Sequence, residues 1–285
     1  MSDTANHNLT IDALRRLEDI LGKIGPIAVA VSGGVDSMTL AFVANRVNPD
    51  SQMFHALSPA VPAQATDRVR DYAERLGWQL NLIDAGEIND PAYLANPANR
   101  CYFCKTNLYD TVTFHTELTV VSGTNTDDLG DYRPGLIAAE EHDVRHPFVE
   151  AGISKEMLRG IAGHFELNDL KDLPAAPCLS SRVTTGIEID ADMLPVINDA
   201  EQALWEHLQL NIPVKGVRCR IRPDTVAIEI ESPADIDDSA DYAVEAQGIV
   251  RNLFNEAGYS EYTSEISIEP YERGSAFLID TISVE

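Results

Sequence analysis

The sequence predicts an α/β protein with a doubly wound parallel sheet and a second, smaller α+β domain. Two observations predict this fold class. In the first 185 residues, short apolar runs alternate with amphipathic stretches of helical period, which is the order of βαβ units. After Gly186, a helix, a β-hairpin, a second helix and a closing strand follow one another, as in a small α+β unit. We therefore predict two domains, residues 1–185 and residues 186–285.

The strands of the first domain are predicted from short apolar runs of strand length, of which the first is also rich in β-branched residues. These runs are Ile27–Val31, Met53–Leu57, Gln79–Ile83, Leu118–Ser122 and a short strand near Pro147–Val149. Between and after them, helices are predicted at 35–47, Pro62–Leu76, Cys101–His115, Arg133–His142 and Ser154–Phe165. Proline at the start of the second helix, glycine directly after it and serine at the start of the last one are typical helix-end residues.

The second domain is predicted from a change in pattern after Gly186. Its elements are helix Ala191–Leu210, strands Val217–Ile221 and Val226–Ile230, helix Asp237–Ala257 and strand Tyr259–Ile268. Proline and aspartate between the two adjacent strands are turn residues, so these strands are expected to form a hairpin. Strand alternation places Cys219 on the apolar face of the hairpin, where we expect a small core residue.

Composition and charge limit the function classes. The chain is 44% hydrophobic, has no apolar stretch of 18 residues and lacks a signal-peptide layout at its start, so we expect a cytoplasmic globular protein without a membrane partner. Its 46 acidic and 21 basic residues give a net charge of −25, which disfavours nucleic acid as a partner. Adaptation to a high-salt cytoplasm explains the same acidity. In molar salt the Debye length is about 3 Å, so the repulsion between the acidic chain and the phosphates of a nucleic acid would be weak.

A glycine-containing loop directly after the first strand opens the first helix of the sheet domain. Its residues are Ser32, Gly33, Gly34, Val35, Asp36 and Ser37. The glycines allow a tight turn, and backbone amides, serine hydroxyls and the helix dipole together form an anion site. The loop fits neither a Walker A motif nor a Rossmann motif. The absence of lysine suits a loop that holds a departing pyrophosphate, and a tight strand–helix turn is the simpler alternative.

Four cysteines are too few and too unevenly spaced for a disulfide scaffold. They are Cys101, Cys104, Cys178 and Cys219. A Cys-x-x-Cys pair indicates metal or redox chemistry, and thiolates favour iron–sulfur clusters or zinc. A zinc site with a fourth ligand such as His115 and a redox dithiol are therefore both open alternatives.

The glycine loop resembles the PP-loop of the ATP pyrophosphatase superfamily, whose fold is HUP-like. This superfamily cleaves ATP between the α- and β-phosphates and adenylates a substrate. The resemblance implies ATP and Mg²⁺ as cofactors, nucleotide binding by residues 32–37 and a catalytic role for Asp36. It also implies nucleotide contacts at the ends of the second and fourth strands, at Ser58 and Gly123.

Three further segments narrow the resemblance: Cys101–Lys105 (CYFCK), Gly123–Gly135 (GTNTDDLGDYRPG) and Pro177–Arg182 (PCLSSR). With the glycine loop they resemble the LarE family of ATP-dependent sulfur transferases in nickel-pincer nucleotide biosynthesis. The resemblance implies that ATP activates a carboxylate of pyridinium-3,5-biscarboxylate mononucleotide and that sulfur displaces AMP, leaving a thiocarboxylate.

The substrate-binding residues that we predict are Asn125, Asp128, Arg133, Ser181, Arg182, Arg218 and Arg220. Asn125 and Asp128 have a simpler interpretation as polar turn residues. Arg218 and Arg220 also have a simpler interpretation, as cross-strand partners of Glu229 and Glu231. Each such pair stabilises a sheet by about 0.2–1 kcal/mol.

The source of the sulfur has two interpretations. In single-cysteine LarE members, the cysteine that corresponds to Cys178 donates its own sulfur and becomes dehydroalanine. This sequence adds Cys101 and Cys104 and so resembles three-cysteine members, which implies a 4Fe–4S cluster with one open iron for sulfide. The implied partners are a small-molecule nucleotide, a sulfide donor and further copies of the chain in a homo-oligomer. Other hypotheses are an amide synthetase of the GMP or NAD synthetase kind, a tRNA thiolase and a nucleotide sensor.

Overall fold

The computed structural model describes residues 3–130, 133–174 and 177–272, with side chains from residue 8 onward. Asp131 and Tyr132, which belong to one of the motif segments, lie outside this description. In the described ranges the strands are β1 (Ile27–Ala30), β2 (Gln52–Ala56), β3 (Gln79–Ile83), β4 (Thr119–Ser122), β5 (Gly216–Ile221), β6 (Val226–Glu231) and β7 (Ile266–Pro270). The helices are α1 (Asp3–Ile24), α2 (Val35–Val47), α3 (Ala63–Leu76), α4 (Pro91–Leu94), α5 (Arg100–His115), α6 (Pro134–Glu141), α7 (Pro147–Glu150), α8 (Lys155–His164), α9 (Asn168–Lys171), α10 (Met193–Leu208) and α11 (Asp241–Glu256).

The chain divides into two compact units. Unit 1 consists of Met1–Glu87 and Cys101–Ala176, and unit 2 consists of Ile88–Arg100 and Pro177–Glu285. Unit 2 thus begins at Pro177, before the boundary predicted near residue 185, and it includes a segment from the first half of the chain. The buried amide of Asn96 attaches that segment to unit 2, since it donates hydrogen bonds of 2.9 Å to the carbonyl oxygens of Thr184 and Ile187.

The sheet of unit 1 has the strand order β3-β2-β1-β4, and its neighbouring strands are all parallel. The chain moves outward from β1 to β3 and then returns to the other side of β1 with β4. In parallel α/β sheets, ligands bind beyond the carboxyl ends of the strands at such a reversal of strand order. A ligand of this sheet is therefore expected beside the segments that follow β1 and β4.

Apolar side chains cover both faces of this sheet. Val29 belongs to a core with residues of α1, α2, α3 and α8, whereas Ala28 and Ala30 belong to a separate core with residues of α5 and α6. Strand alternation explains this division, because successive side chains point to opposite faces. Helices on both faces confirm the predicted doubly wound α/β arrangement of this unit.

Two expectations for unit 1 need correction. The short strand predicted near Pro147–Val149 is wrong, since these residues begin helix α7, where the amide of Ala151 donates to the carbonyl oxygen of Pro147 at 3.0 Å. Proline suits the first turn of a helix because that turn does not use its missing N–H group. Helix α1 was absent from the sequence interpretation, although buried Leu14, Leu17 and Leu21 have helical spacing.

Unit 2 contains the three-stranded sheet β5-β6-β7, in which β5 and β6 are antiparallel and β6 and β7 are parallel. The predicted hairpin is confirmed, and its turn is closed by a 2.9 Å hydrogen bond from the Arg222 amide to Thr225. Cys219 is fully buried, as expected. The last strand begins at Ile266 and not at Tyr259, because Ser260–Thr263 forms a 3-10 helix. Among the described helices, none combines the length and apolar character that a membrane span requires.

Candidate functional site

The glycine loop after β1 has a backbone that only glycine accommodates well. Gly33 has a φ of 80°, which side-chain-bearing residues rarely adopt. A Cβ atom at this position would also lie 2.6 Å from the carbonyl oxygen of Ala65 on α3. Both observations explain why this turn carries glycine, and both keep the loop close to α3.

Hydrogen bonds between its two serines hold the loop in shape. The Ser32 amide donates to Ser37 Oγ at 3.0 Å, and the two hydroxyl oxygens lie 3.0 Å apart. Gly34 is the N-cap of α2, and no side chain caps the backbone amides of the first turn of that helix. These amides and the positive end of the helix dipole are the groups that bind phosphate in other helix N-terminal sites.

The segment after β4 closely approaches the glycine loop. A Cβ atom on Gly123 would lie 2.7 Å from the backbone nitrogen of Ser37. The two segments that follow β1 and β4 therefore meet at the reversal of strand order, with no side chain between their backbones. The glycine loop beside this contact has the amide donors and the position that a nucleotide phosphate needs.

Lys155 is a site residue that the sequence interpretation missed. Its Nζ lies 2.5 Å from Asp36 Oδ2 at the first turn of α2, and Asn125 Nδ2 donates to Asp36 Oδ1 at 3.1 Å. Both charged side chains are about one-third exposed, at 34% for Lys155 and 28% for Asp36. The loop itself contains no lysine, but helix α8 brings one to it. The available signal was Ser154, an N-cap residue that places Lys155 at the start of α8.

The turn that follows Gly123 is held by its own polar side chains. Buried Asn125 donates its amide to Asp128 Oδ2 at 3.0 Å and accepts from the Asp127 amide at 3.0 Å. Asp128 also pairs with Arg133 at 2.8 Å, and Asp127 accepts from the Lys155 amide at 3.2 Å. These contacts match the interpretation of Asn125 and Asp128 as turn residues and at the same time connect them to Asp36.

Two histidines, of which His55 is buried and His146 is half-buried, flank the same edge of the sheet. Nδ1 of His55 donates to the carbonyl oxygen of Val31 at 2.8 Å, and its Nε2 lies 2.9 Å from Thr66 Oγ1. His146 Nδ1 lies 2.9 Å from the hydroxyl of Ser122, the last residue of β4. Burial lowers the pKa of both histidines, so both are neutral near pH 7 and act as hydrogen-bonding groups, His55 toward the backbone of Val31 and His146 toward the side chain of Ser122.

Ser58, the predicted nucleotide contact after β2, closes a local turn. Its hydroxyl accepts from the Ala60 amide at 3.1 Å, and its side chain is half-buried. The nucleotide role of Ser58 stays a prediction.

Cys101 and Cys104 lie in the first two turns of α5. Their spacing of three places them on one face of the helix, where Cys101 is exposed and Cys104 is half-buried. In the described ranges no three or more histidine, cysteine, aspartate or glutamate side chains gather as a metal centre. The 4Fe–4S cluster and the Mg²⁺ site stay predictions.

In unit 2, Cys178 begins a tight segment that a buried arginine holds. Arg182 donates to the carbonyl oxygens of Pro177 at 2.7 Å and Cys178 at 3.3 Å, and it forms a two-pronged ion pair with Glu201 at 2.8 and 2.7 Å. Glu201 also accepts from the Cys219 amide at 3.0 Å. Arg182 therefore contacts protein groups on several sides, and this geometry keeps Cys178 half-exposed at the start of a fixed turn.

The same segment is fixed from its other side. Arg220 is buried, pairs with Glu229 at 3.0 Å and donates to the carbonyl oxygen of Ser181. Arg218 donates to the Val217 carbonyl oxygen at 2.7 Å and lies over the ring of Tyr271. Arg220 therefore pairs with Glu229 across the two strands, as the simpler interpretation of this arginine predicts. The substrate-binding role of these arginines and of Ser181 stays a prediction.

Comparison with known proteins then gives the family. Over 193 residues, the chain is 38% identical to an uncharacterized protein of Synechocystis, an alignment that covers 66% of this chain and 72% of the relative. The chain belongs to the family of this protein. An uncharacterized protein of Methanocaldococcus jannaschii is 28% identical over 247 residues, which cover 85% of this chain and 90% of the relative. No protein-family model matches the chain.

A more distant relative has a named activity. The pyridinium-3,5-bisthiocarboxylic acid mononucleotide synthase of Lactiplantibacillus plantarum is 27% identical over 210 residues, which cover 72% of this chain and 74% of the synthase. This homologue supports the LarE-like family that the motifs indicate.

Proposed function

We propose that this protein is an ATP-dependent sulfur transferase that converts a carboxylate of pyridinium-3,5-biscarboxylate mononucleotide into a thiocarboxylate. The observation that carries the proposal is the glycine loop at 32–37, whose amides open helix α2 against the backbone of Gly123, with Lys155 at its edge. The name of the Lactiplantibacillus relative supports the substrate class.

The first step activates the carboxylate. A carboxylate oxygen attacks the α-phosphorus of ATP, the bond to the bridging oxygen breaks, and pyrophosphate leaves. The amides at the start of α2 and the hydroxyls of Ser32 and Ser37 are positioned to bind the departing anion. Lys155, which Asp36 holds at the edge of this site, is a cationic donor for the same anion, and fixed donors of this kind stabilise the charge that develops on a leaving group.

The second step transfers sulfur from Cys178. Its thiolate attacks the activated carbonyl carbon and AMP leaves, which gives a thioester. Removal of the Cα proton of residue 178 and cleavage of its Cβ–Sγ bond then release the thiocarboxylate and leave dehydroalanine in the chain. Arg182 and Glu201 support this step by holding the backbone of Cys178.

The test incubates the protein with ATP, Mg²⁺ and the biscarboxylate mononucleotide, and it measures pyrophosphate and product mass. We expect pyrophosphate release that depends on the mononucleotide, a product heavier by about 16 Da for oxygen replaced by sulfur, and Cys178 lighter by about 34 Da. Cys178→Ser should retain pyrophosphate release and lose the sulfur-containing product. Cys219→Ala, at a buried position with no assigned role, should retain both.

Four outcomes would contradict the proposal. Pyrophosphate release that does not depend on the mononucleotide would show that the mononucleotide is not the substrate. An amide formed from added ammonia would indicate an amide synthetase. Unchanged thiocarboxylate formation by Cys178→Ser would remove the sulfur role of that residue. If the thiocarboxylate forms while Cys178 keeps its mass, an external sulfide and a cluster would be the source to examine, by iron and labile sulfide content.

A further inference from the structure

Two residues of helix α3 contact the glycine loop at Gly33, a third supports the residue before the loop, and none of the three belongs to the motif. The backbone and side chain of Ala65 lie against Gly33. Thr66 Oγ1 donates to Nε2 of His55, whose Nδ1 donates to the carbonyl oxygen of the residue directly before the loop, Val31. One turn later, Nη1 of Arg68 donates to the carbonyl oxygen of Gly33 at 2.7 Å.

The contact from Arg68 fixes the orientation of one peptide group. A trans peptide is planar, and its carbonyl oxygen and the following N–H group point in opposite directions. Since Arg68 holds the Gly33 carbonyl oxygen on the α3 side, the Gly34 amide must point to the opposite side of the loop. In the described structure this amide has a long 3.4 Å contact with Ser32 Oγ, so an anion can replace a weak interaction.

Without such a contact, a Gly-Gly peptide is free to turn over at low cost, because glycine accepts both signs of φ. A turned peptide would present a carbonyl oxygen where an anion binds. Half-buried Arg68 is the side chain on α3 that donates to this oxygen, and its neighbour Arg70 is exposed on the same helix.

We propose that Arg68 is a positioning residue of the anion site: it holds the Gly33 carbonyl oxygen so that the Gly34 amide stays directed toward a pyrophosphate group. This inference rests on the proposed function for the existence of the anion site. It assigns a further residue to that site, which the sequence motif does not contain. Arg68 acts through the backbone, so its removal should affect anion binding more than folding.

The test measures binding of inorganic pyrophosphate to the full chain by calorimetry. Arg68→Met removes the donor and the charge, and Arg70→Met removes an equal charge from the exposed face of the same helix. We expect Arg68→Met to weaken pyrophosphate binding about tenfold, the size of one lost charge-assisted hydrogen bond, and Arg70→Met to change it less than about twofold. Arg68→Lys, which keeps a donor, should recover most of the affinity.

Salt separates positioning from simple charge attraction. At about 1 M salt the Debye length is near 3 Å, so a charge effect should largely disappear, whereas the difference caused by peptide orientation should persist. Equal affinities of Arg68→Met and Arg70→Met, or a difference that vanishes in high salt, would overturn the inference and leave the proposed function intact. A wild-type chain that binds no pyrophosphate would overturn both. Unchanged melting temperatures would show that the variants fold.

Discussion

Lys155 enters the site from outside every motif, and it changes how the glycine loop is interpreted. The loop at 32–37 has no lysine of its own, which suits a loop that holds a departing pyrophosphate. In the fold, Lys155 lies 2.5 Å from Asp36 at the start of α2. The site therefore combines backbone amides with one side-chain cation, as expected where an anion must be stabilised during a reaction.

We expect Lys155→Met to lower the rate of pyrophosphate release about 10- to 100-fold, because it removes a cation from the place where leaving-group charge develops. Lys155→Arg should retain most of the rate, since it keeps the charge. Lys23→Met, on the exposed last turn of α1, is the matched control and should match the wild type. Rates are measured by coupled detection of pyrophosphate at saturating ATP. Equal rates for Lys155→Met and Lys23→Met would exclude a role for Lys155 in the first step.

At the level of elements, the sequence predicted those whose pattern is local. Each strand of the parallel sheet appears within one residue of its predicted limits, because a short apolar run is a local signal, which is clearest in the uninterrupted run of β1. The strand predicted at helix α7 is wrong because a run of three apolar residues is too short to show whether its period is that of a helix or of a strand. The contact between Lys155 and Asp36 could not be predicted, because it joins two helices that are 119 positions apart in the chain.

The 3-10 segment Leu179–Arg182 depends on a helix that no motif contains. Arg182 has 3% of its side chain exposed, and Glu201 on α10 neutralises it. Removing one partner of a buried pair leaves an unpaired charge, which costs about 3–5 kcal/mol. We expect Glu201→Ala to lower the free energy of unfolding of unit 2 by about this amount, in urea denaturation followed by the fluorescence of Trp205 in a Trp78→Phe background.

The matched control for this prediction is Glu206→Ala, which removes an equal charge from an exposed position of the same helix. It should change the stability by less than about 0.5 kcal/mol. A loss below about 1 kcal/mol for Glu201→Ala would show that water or another group reaches Arg182, and the segment around Cys178 would then be less firmly held than the structure indicates.

For the molecule as a whole, the net charge of −25 is the property that no single contact explains. The described ion pairs use only a part of the 46 acidic residues, and most of the others face solvent. Like charges on one surface repel and destabilise the compact state, and salt weakens this repulsion. Adaptation to high salt is one explanation for the acidity of the chain. The dependence of its stability on salt concentration tests this explanation directly.

We expect the melting temperature of the whole chain to rise by at least about 3 °C between 0.1 and 1 M KCl at pH 7.5, because the Debye length falls from about 10 to about 3 Å over this range. The rise should be steepest below about 0.5 M and equal in NaCl and KCl, as screening requires. A melting temperature that does not depend on salt would mean that the acidic residues are too far apart to repel one another. A linear rise that differs between the two salts would instead indicate exclusion of salt from the protein surface. Either result would contradict the explanation that the acidic residues are an adaptation to high salt. A melting temperature that rises most steeply below about 0.5 M salt would support this explanation.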